Sequence, residues 1–334
     1  MTHAIIALPL LVALVAMALA FDFLNGLHDA ANSIATVVST RLLTPIQAVL
    51  FAAVFNFAAY FTFGLKVAET VGKGIIDKDV VTPQVIFGAL VGAMAWNVIT
   101  WWKGIPSSSS HALIGGLVGA GTAHAGTHAI IWGGVSKTSS AIVLSPVIGL
   151  AVSMLLMLAT AWLFMRATAS AAEGLFRKLH LVSAAAYSIG HGANDAQKTM
   201  GIIAVLLYSQ GLLGKTFHVP GWVVIGCYLA MGLGTLSGGW KIIETMGTRI
   251  TKLSQHQGFC ASAGGSIMLF AASSLGIPVS TTHTITGCVV GVGAARRASA
   301  VRWGVAHRVV IAWLITIPAS AAVGALFYGL IGLV

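Results

Sequence analysis

The sequence predicts an all-α polytopic membrane protein made of two inverted-topology repeats with discontinuous, re-entrant helices, about 10 to 12 membrane segments in all. Three observations lead there. Of 334 residues, 57% are hydrophobic and only 8% charged, and the mean hydropathy is +0.92, which excludes an ordinary soluble domain. Uncharged stretches long enough to cross a bilayer as helix, which takes roughly 20 residues, recur along the chain. One pattern is also written twice: GIPSSSSHALIGGLVGAG (104–121) and GIPVSTTHTITGCVVGVG (276–293) agree at nine of eighteen positions without a gap.

In chain order, the run 5–24 lacks a basic leader and a small-residue cleavage pattern, so it reads as the first span rather than a signal peptide. It passes without a break into FLNGLHDAANSIATV (23–37), which is polar where such runs seldom are. Further spans are expected at 46–65, 84–102, 139–165, 219–240 and 309–334. The segments 104–136 and 258–295 are uncharged but interrupted by Gly, Pro and Ser. Interrupted segments at corresponding places in two halves point to a binding site. The polar motif has its own partner: GLHDAANS (26–33) aligns with GANDAQKT (192–199), pairing Asp29 with Asp195. The expected division is a first repeat at 1–165, a short cytoplasmic connection at 166–180, and a second repeat at 181–334.

Lys and Arg concentrate in 166–178, 241–252 and 296–302, whereas 66–79 balances three lysines against three acids. The positive-inside rule places the first three in the cytoplasm. Counting crossings outward from them puts both termini outside, in a plasma (inner) membrane, and runs the Asp29 and Asp195 segments in opposite directions. A net charge of +10 raises the question of nucleic acid, but the basic residues are scattered and form no basic arm. Three cysteines, all in apolar segments, give neither a disulfide framework nor zinc spacing.

Only Asp22, Asp29 and Asp195 are acids at membrane depth, each costing roughly 2.5 to 3.5 kcal/mol at a helix centre. That cost argues for function at Asp29 and Asp195, against the plainer role of capping a helix. Asp22 has no repeat partner and stays open between the two. In each Gly-Ile-Pro segment the proline suits the first turn of a helix, and hydroxyls follow: Ser107 to Ser110, and Ser280 to Thr282. Such an N-terminus offers free N–H groups, a positive dipole end and hydroxyls, which together suit an anion. Carboxylates beside an anion require a shared positive charge, a proton or Na⁺. Lys198, the lone cation at depth, can pair with Asp195, neutralise substrate or snorkel. His111 and His283 fit packing as readily as proton carriage, and His28, beside Asp29, is the better proton carrier. His124 and His128 lie in an outer loop with no further ligand to support a metal.

Taken together, NGLHDAANS, GHGANDAQKT, WWKGIPSSSSHALIG and GIPVSTTHTITG resemble the inorganic phosphate transporter family along essentially the whole chain. The resemblance implies symport of inorganic phosphate with a cation, no hydrolysis, and a site where the two repeats meet. Carried onto this sequence, it implies phosphate contacts from Ser108, Ser109, Ser110, Ser280, Thr281, Thr282, Ser33 and Thr199. Coupling-ion contacts would come from Asp29, Asp195, Asn32, Asn194, Gln197 and His28, since carboxylate and amide oxygens suit a cation.

His28 stands where sodium-coupled members typically carry asparagine, and Asn56 where an acid is expected in some members. Both departures favour H⁺ over Na⁺, with a divalent metal–phosphate complex as an alternative form of the substrate. No other cofactor and no resident metal is expected. The expected partners are phosphate and bilayer lipid, with self-association left open. Sulfate is the rival substrate. An anion channel needs no buried carboxylates, and an enzyme built on the SSSSH pair is disfavoured by its duplicate STTH.

Overall fold

The structure is a computed structural model that describes residues 6–77 and 80–331. Residues 1–5 and 332–334, and with them the predicted placement of both termini, lie outside the described residues, as do Lys78 and Asp79 of the charge-balanced loop. Apart from one isolated bridge between Ile76 and Ile130, the regular structure described is helical. The first half contains α1 (Leu8–Ser39), α2 (Pro45–Ala58), α3 (Lys66–Gly74), α4 (Pro83–Lys103), α5 (Ser109–Ala125) and α6 (Trp132–Leu163). The second contains α7 (Ala169–Ser209), α8 (Gly221–Ser237), α9 (Trp240–Glu244), α10 (Gln255–Ser274), α11 (Thr281–Arg296) and α12 (Trp303–Ile331).

The order repeats element for element. The α2 and α3 segments are bent by 82° at their break, and α8 and α9, continued by a π-turn at Thr245–Arg249, by 70°. Side-chain chemistry sets the helix starts. Thr44 before α2 and Ser254 before α10 each close a capping box with the glutamine three residues on. Packing partners are exchanged between the halves: α5 lies on α12 and α11 on α6, while α8 lies on α1 and α2 on α7. Neither half buries its faces alone.

Two glycines show how closely these crossings approach. A Cβ at Gly26 of α1 would stand 2.2 Å from the Met231 carbonyl oxygen on α8, and one at Gly192 of α7 would stand 2.3 Å from that of Asn56 on α2. These are the leading glycines of the two aligned motifs.

Four helices, α1, α4, α6 and α12, are long and apolar enough to cross a membrane, and six spans result if each bent pair counts as one. The polar motifs lie on α1 and α7 and at the starts of α5 and α11. The connection 166–180 is mostly helix, because Thr168 accepts a hydrogen bond from the Ala171 N–H to cap α7 and the Ala-, Leu- and Lys-rich residues beyond are good helix formers. One expectation needs correction: Pro106 and Pro278 do not occupy a first helical turn. Helices α5 and α11 begin at Ser109 and Thr281, with Ser108 and Ser280 as N-caps in extended backbone.

Candidate functional site

Each Gly-Ile-Pro stretch joins two helices that pack against each other, α4 to α5 and α10 to α11. The chain reverses at Gly104 (φ +66°) and Gly276 (φ +68°), in the left-handed region that glycine adopts without penalty. The C-terminal carbonyls so exposed are satisfied from the opposite half by matched residues. Lys241 Nζ donates to the Trp102 carbonyl at 3.1 Å and Thr245 Oγ1 to that of Gly104 at 3.0 Å. Lys66 Nζ donates to the Ser274 carbonyl at 3.0 Å and Thr70 Oγ1 to that of Gly276 at 2.7 Å. A lysine at a helix C-terminus also complements its negative dipole end.

Past these breaks, Ser108 Oγ accepts from the His111 N–H and Ser280 Oγ from the His283 N–H, both at 3.2 Å. The two N-terminal turns come together, and Ser110 Oγ reaches the Val279 carbonyl at 3.3 Å. Earlier N–H groups of an α-helix have no intrahelical partner. Two helix N-termini and their hydroxyls therefore converge in one buried place.

The carboxylates lie against these turns. Asp29 Oδ2 accepts from Ser109 Oγ at 3.3 Å and Asp29 Oδ1 from Thr282 Oγ1 at 3.3 Å, so the one side chain touches α5 and α11 together. Asp195 Oδ2 accepts from Thr281 Oγ1 at 2.7 Å, the counterpart of the Ser109 contact. Asn32 and Lys198 occupy matching positions in the repeats. Asn32 Nδ2 donates to Thr282 Oγ1 at 2.9 Å and to Thr281 Oγ1 at 3.2 Å, and Lys198 Nζ donates to Ser110 Oγ at 2.5 Å and the Val279 carbonyl at 2.8 Å. Lys198 also forms an ion pair with Asp195.

Two imidazoles complete the cluster. His28 Nδ1 lies 2.8 Å from Asp29 Oδ1, and its Nε2 lies 3.1 Å from Thr100 Oγ1 and 3.4 Å from Ser107 Oγ. His191 Nε2 lies 3.2 Å from Asp195 Oδ2, and its Nδ1 lies 3.1 Å from Asn56 Oδ1 and 3.3 Å from Ser33 Oγ. One oxygen each of Asp29 and Asp195 and one nitrogen of His191 all lie within 4.8 Å of one another, close enough for one cation to reach all three. All these side chains are buried. With both carboxylates ionised, Lys198 charged and the imidazoles neutral, the cluster carries one net negative charge. Burying that is costly unless a further cation neutralises it.

Several residues singled out in the sequence sit elsewhere. Gln197 is held by backbone of α3 and its approach, accepting from the Val67 and Ala68 N–H groups at 3.0 and 3.2 Å and donating to the Gly64 carbonyl at 2.9 Å. Asn194 fixes the extended stretch before α11, accepting from the Val279 N–H and donating to the Ile277 carbonyl, both at 3.2 Å. Thr199 faces Asp22. His111 and His283 pack together, ring centroids 4.6 Å apart, with His283 stacked on Trp313 at 3.7 Å. Sequence reasoning missed His191 and Thr100. The one available signal for His191 was its spacing four residues before Asp195, one turn along the same helix face.

The sequence profile described as the phosphate transporter family matches residues 25–324. A probable low-affinity inorganic phosphate transporter of Rhizobium meliloti (strain 1021) is 65% identical over 325 residues, 97% of either chain. One of the same description from Bacillus subtilis (strain 168) is 44% identical, covering 98% of this chain and 99% of its own. Among solved structures, one described as "The sodium-dependent phosphate transporter" superposes with a TM-score of 0.87 at 27% identity, covering 98% of this chain and all of that one.

Proposed function

The chain belongs to the phosphate transporter family, and from that premise we propose that it is a proton-coupled symporter of inorganic phosphate working by alternating access. Its relatives and its fold are those of transporters, not enzymes, and several of its helices are apolar enough for a multi-pass membrane protein. The observation that carries the reading is the placement of Asp29 against hydroxyls of both half-helices at once.

In this reading phosphate accepts from the hydroxyls and free N–H groups at the starts of α5 and α11, chiefly Ser109, Ser110, Thr281 and Thr282. Lys198 and a cation held at Asp29 and Asp195 balance its charge. Ser108 and Ser280 shape the turns as caps, and Ser33, Asn32 and Asn194 support them. Moving a negative charge into an inside-negative cell costs about 2.3 kcal/mol per charge per 100 mV, and co-transported cations offset it. His28 supports a proton as that cation, because imidazole is a proton-carrying group and this one is joined directly to Asp29. The halves 1–165 and 181–334 act as inverted repeats with both termini outside. The exchanged packing of matched helices supports that arrangement.

The structural neighbour is by its name sodium-dependent, and this supports a second reading, Na⁺ coupling at the Asp29–His191–Asp195 cluster. Uptake of labelled phosphate into proteoliposomes under a pH gradient or a Na⁺ gradient, each imposed alone, separates the two. Accumulation under the pH gradient alone is expected. Accumulation only with Na⁺ contradicts proton coupling.

A further inference from the structure

Asp22 lies two turns before Asp29 on α1 and is completely buried, and neither of its carboxylate oxygens makes a hydrogen bond of standard geometry. Around it stand Thr199 of α7, Asn25 of α1 and Cys227 of α8. The Thr199 hydroxyl and the Asn25 side-chain carbonyl are also without such a bond. The place is therefore an unsaturated polar pocket at the junction of α1, α7 and α8, apart from the hydroxyl cradle of α5 and α11.

The other half holds the same positions and closes them. The aligned motifs match Asn25 with His191, Thr199 with Ser33 and Asp22 with Ser188. There Ser33 and His191 are bonded at 3.3 Å, and Ser188 is quieted by its own helix, donating to the Ala184 carbonyl at 3.0 Å. Only one of the two equivalent pockets carries an acid.

The titratable groups facing Asp22 are Asp195 from α7 and Cys227 and Tyr228 from α8; none is a cation. An ionised carboxylate buried with no cation facing it costs several kcal/mol, and at membrane depth no water repays it; Thr199, Asn25 and Cys227 bring only neutral groups to it. A neutral carboxylic acid is far cheaper to bury. The arrangement fits an acid that is protonated in this conformation and can ionise only when the surrounding helices move and water enters.

We propose that Asp22 carries the transported proton, at a site separate from the Asp29–Asp195 cluster. The proposal rests on the proton-coupled reading above. The carboxyl is loaded while the pocket is closed. It loses its O–H proton to water when α1 shifts against α7 and α8, leaving the carboxylate solvated. For net proton entry the empty carrier returns unprotonated, its carboxylate kept in water, and takes up the next proton only after it has reopened to the outer side.

The test is Asp22→Asn, which holds the neutral form permanently. In proteoliposomes, phosphate–phosphate exchange by the variant persists and no longer varies with pH, while accumulation driven by a pH gradient falls roughly tenfold or more, the size of a typical lost coupling. Wild-type-like accumulation by the variant overturns the proposal and leaves the coupling reading standing. If the wild-type protein itself ignores a pH gradient, the coupling reading fails first. A second measurement avoids the variant altogether: a hydrophobic carbodiimide, which attacks protonated carboxyls in apolar surroundings, is applied to the wild-type protein and its adducts are located by peptide mass spectrometry. Modification of Asp22 that declines as pH rises is expected. An unmodified Asp22 at acid pH overturns the proposal.

Discussion

Asp195 ties Lys198, Thr281 and His191 together, so its loss strands a buried ammonium between the Ser110 hydroxyl and the Val279 carbonyl. Removing one partner of a buried pair costs about 3 to 5 kcal/mol, and about 1.4 kcal/mol is a factor of ten. Asp195→Asn is therefore expected to reduce phosphate uptake by roughly 100-fold or more, measured as initial rates in proteoliposomes matched for protein content. Asp29→Asn likewise abolishes uptake, because it breaks the contact that joins α5 to α11. At this scale the sequence was informative where it repeats itself. Asp29, Asp195 and the hydroxyls were found by duplication. His191 was not, because its repeat counterpart is Asn25, which shares none of its chemistry. The amides of Gln197 and Asn194 bond to backbone, which a motif does not reveal, because it reports which residues occur and not which way each side chain turns.

For the helical elements, the two reversals at Gly104 and Gly276 and the lysines that cap them form one device used twice. The N-caps hold its second arm. Ser280→Ala is expected to lower the unfolding midpoint of the detergent-purified protein modestly, since an N-cap contributes about 1 kcal/mol. Gly192→Ala is expected to cost more, about 1 to 3 kcal/mol, as an overpacked crossing, because its Cβ would meet the backbone of α2 rather than a yielding side chain. Both are read by thermal unfolding, and an unchanged midpoint for Gly192→Ala contradicts the close crossing of α7 and α2. The break points were legible from Gly, Pro and hydroxyl content. The start of each helix was not, because proline suits both a first turn and the extended stretch before one. The N-capping by Ser108 and Ser280 decides between them.

Across the whole molecule, matched helices exchange partners, and matched lysines, Lys66 and Lys241, cap hairpins of the opposite half. If the halves are inverted, α3 and the region after α9 lie on opposite sides of the membrane. Lys73 and Lys252 are exposed, and the three native cysteines are buried and do not compete for label. In intact cells a membrane-impermeant maleimide is expected to label Lys73→Cys and to spare Lys252→Cys until the membrane is opened. Labelling of both from one side contradicts the inversion. The apolar spans and the duplication were visible in the sequence because hydropathy and repetition are linear properties. The partner exchange was not, since it depends on which faces meet.

In the proposed function, transport depends on phosphate being held where the two half-helices and the two carboxylates converge. The most direct measurement is an experimental structure of the protein with phosphate bound. Phosphate is expected within hydrogen-bond distance of the first turns of α5 and α11, touching hydroxyls among Ser109, Ser110, Thr281 and Thr282, with Lys198 beside it. Phosphate bound elsewhere, with both turns left empty, would contradict that placement.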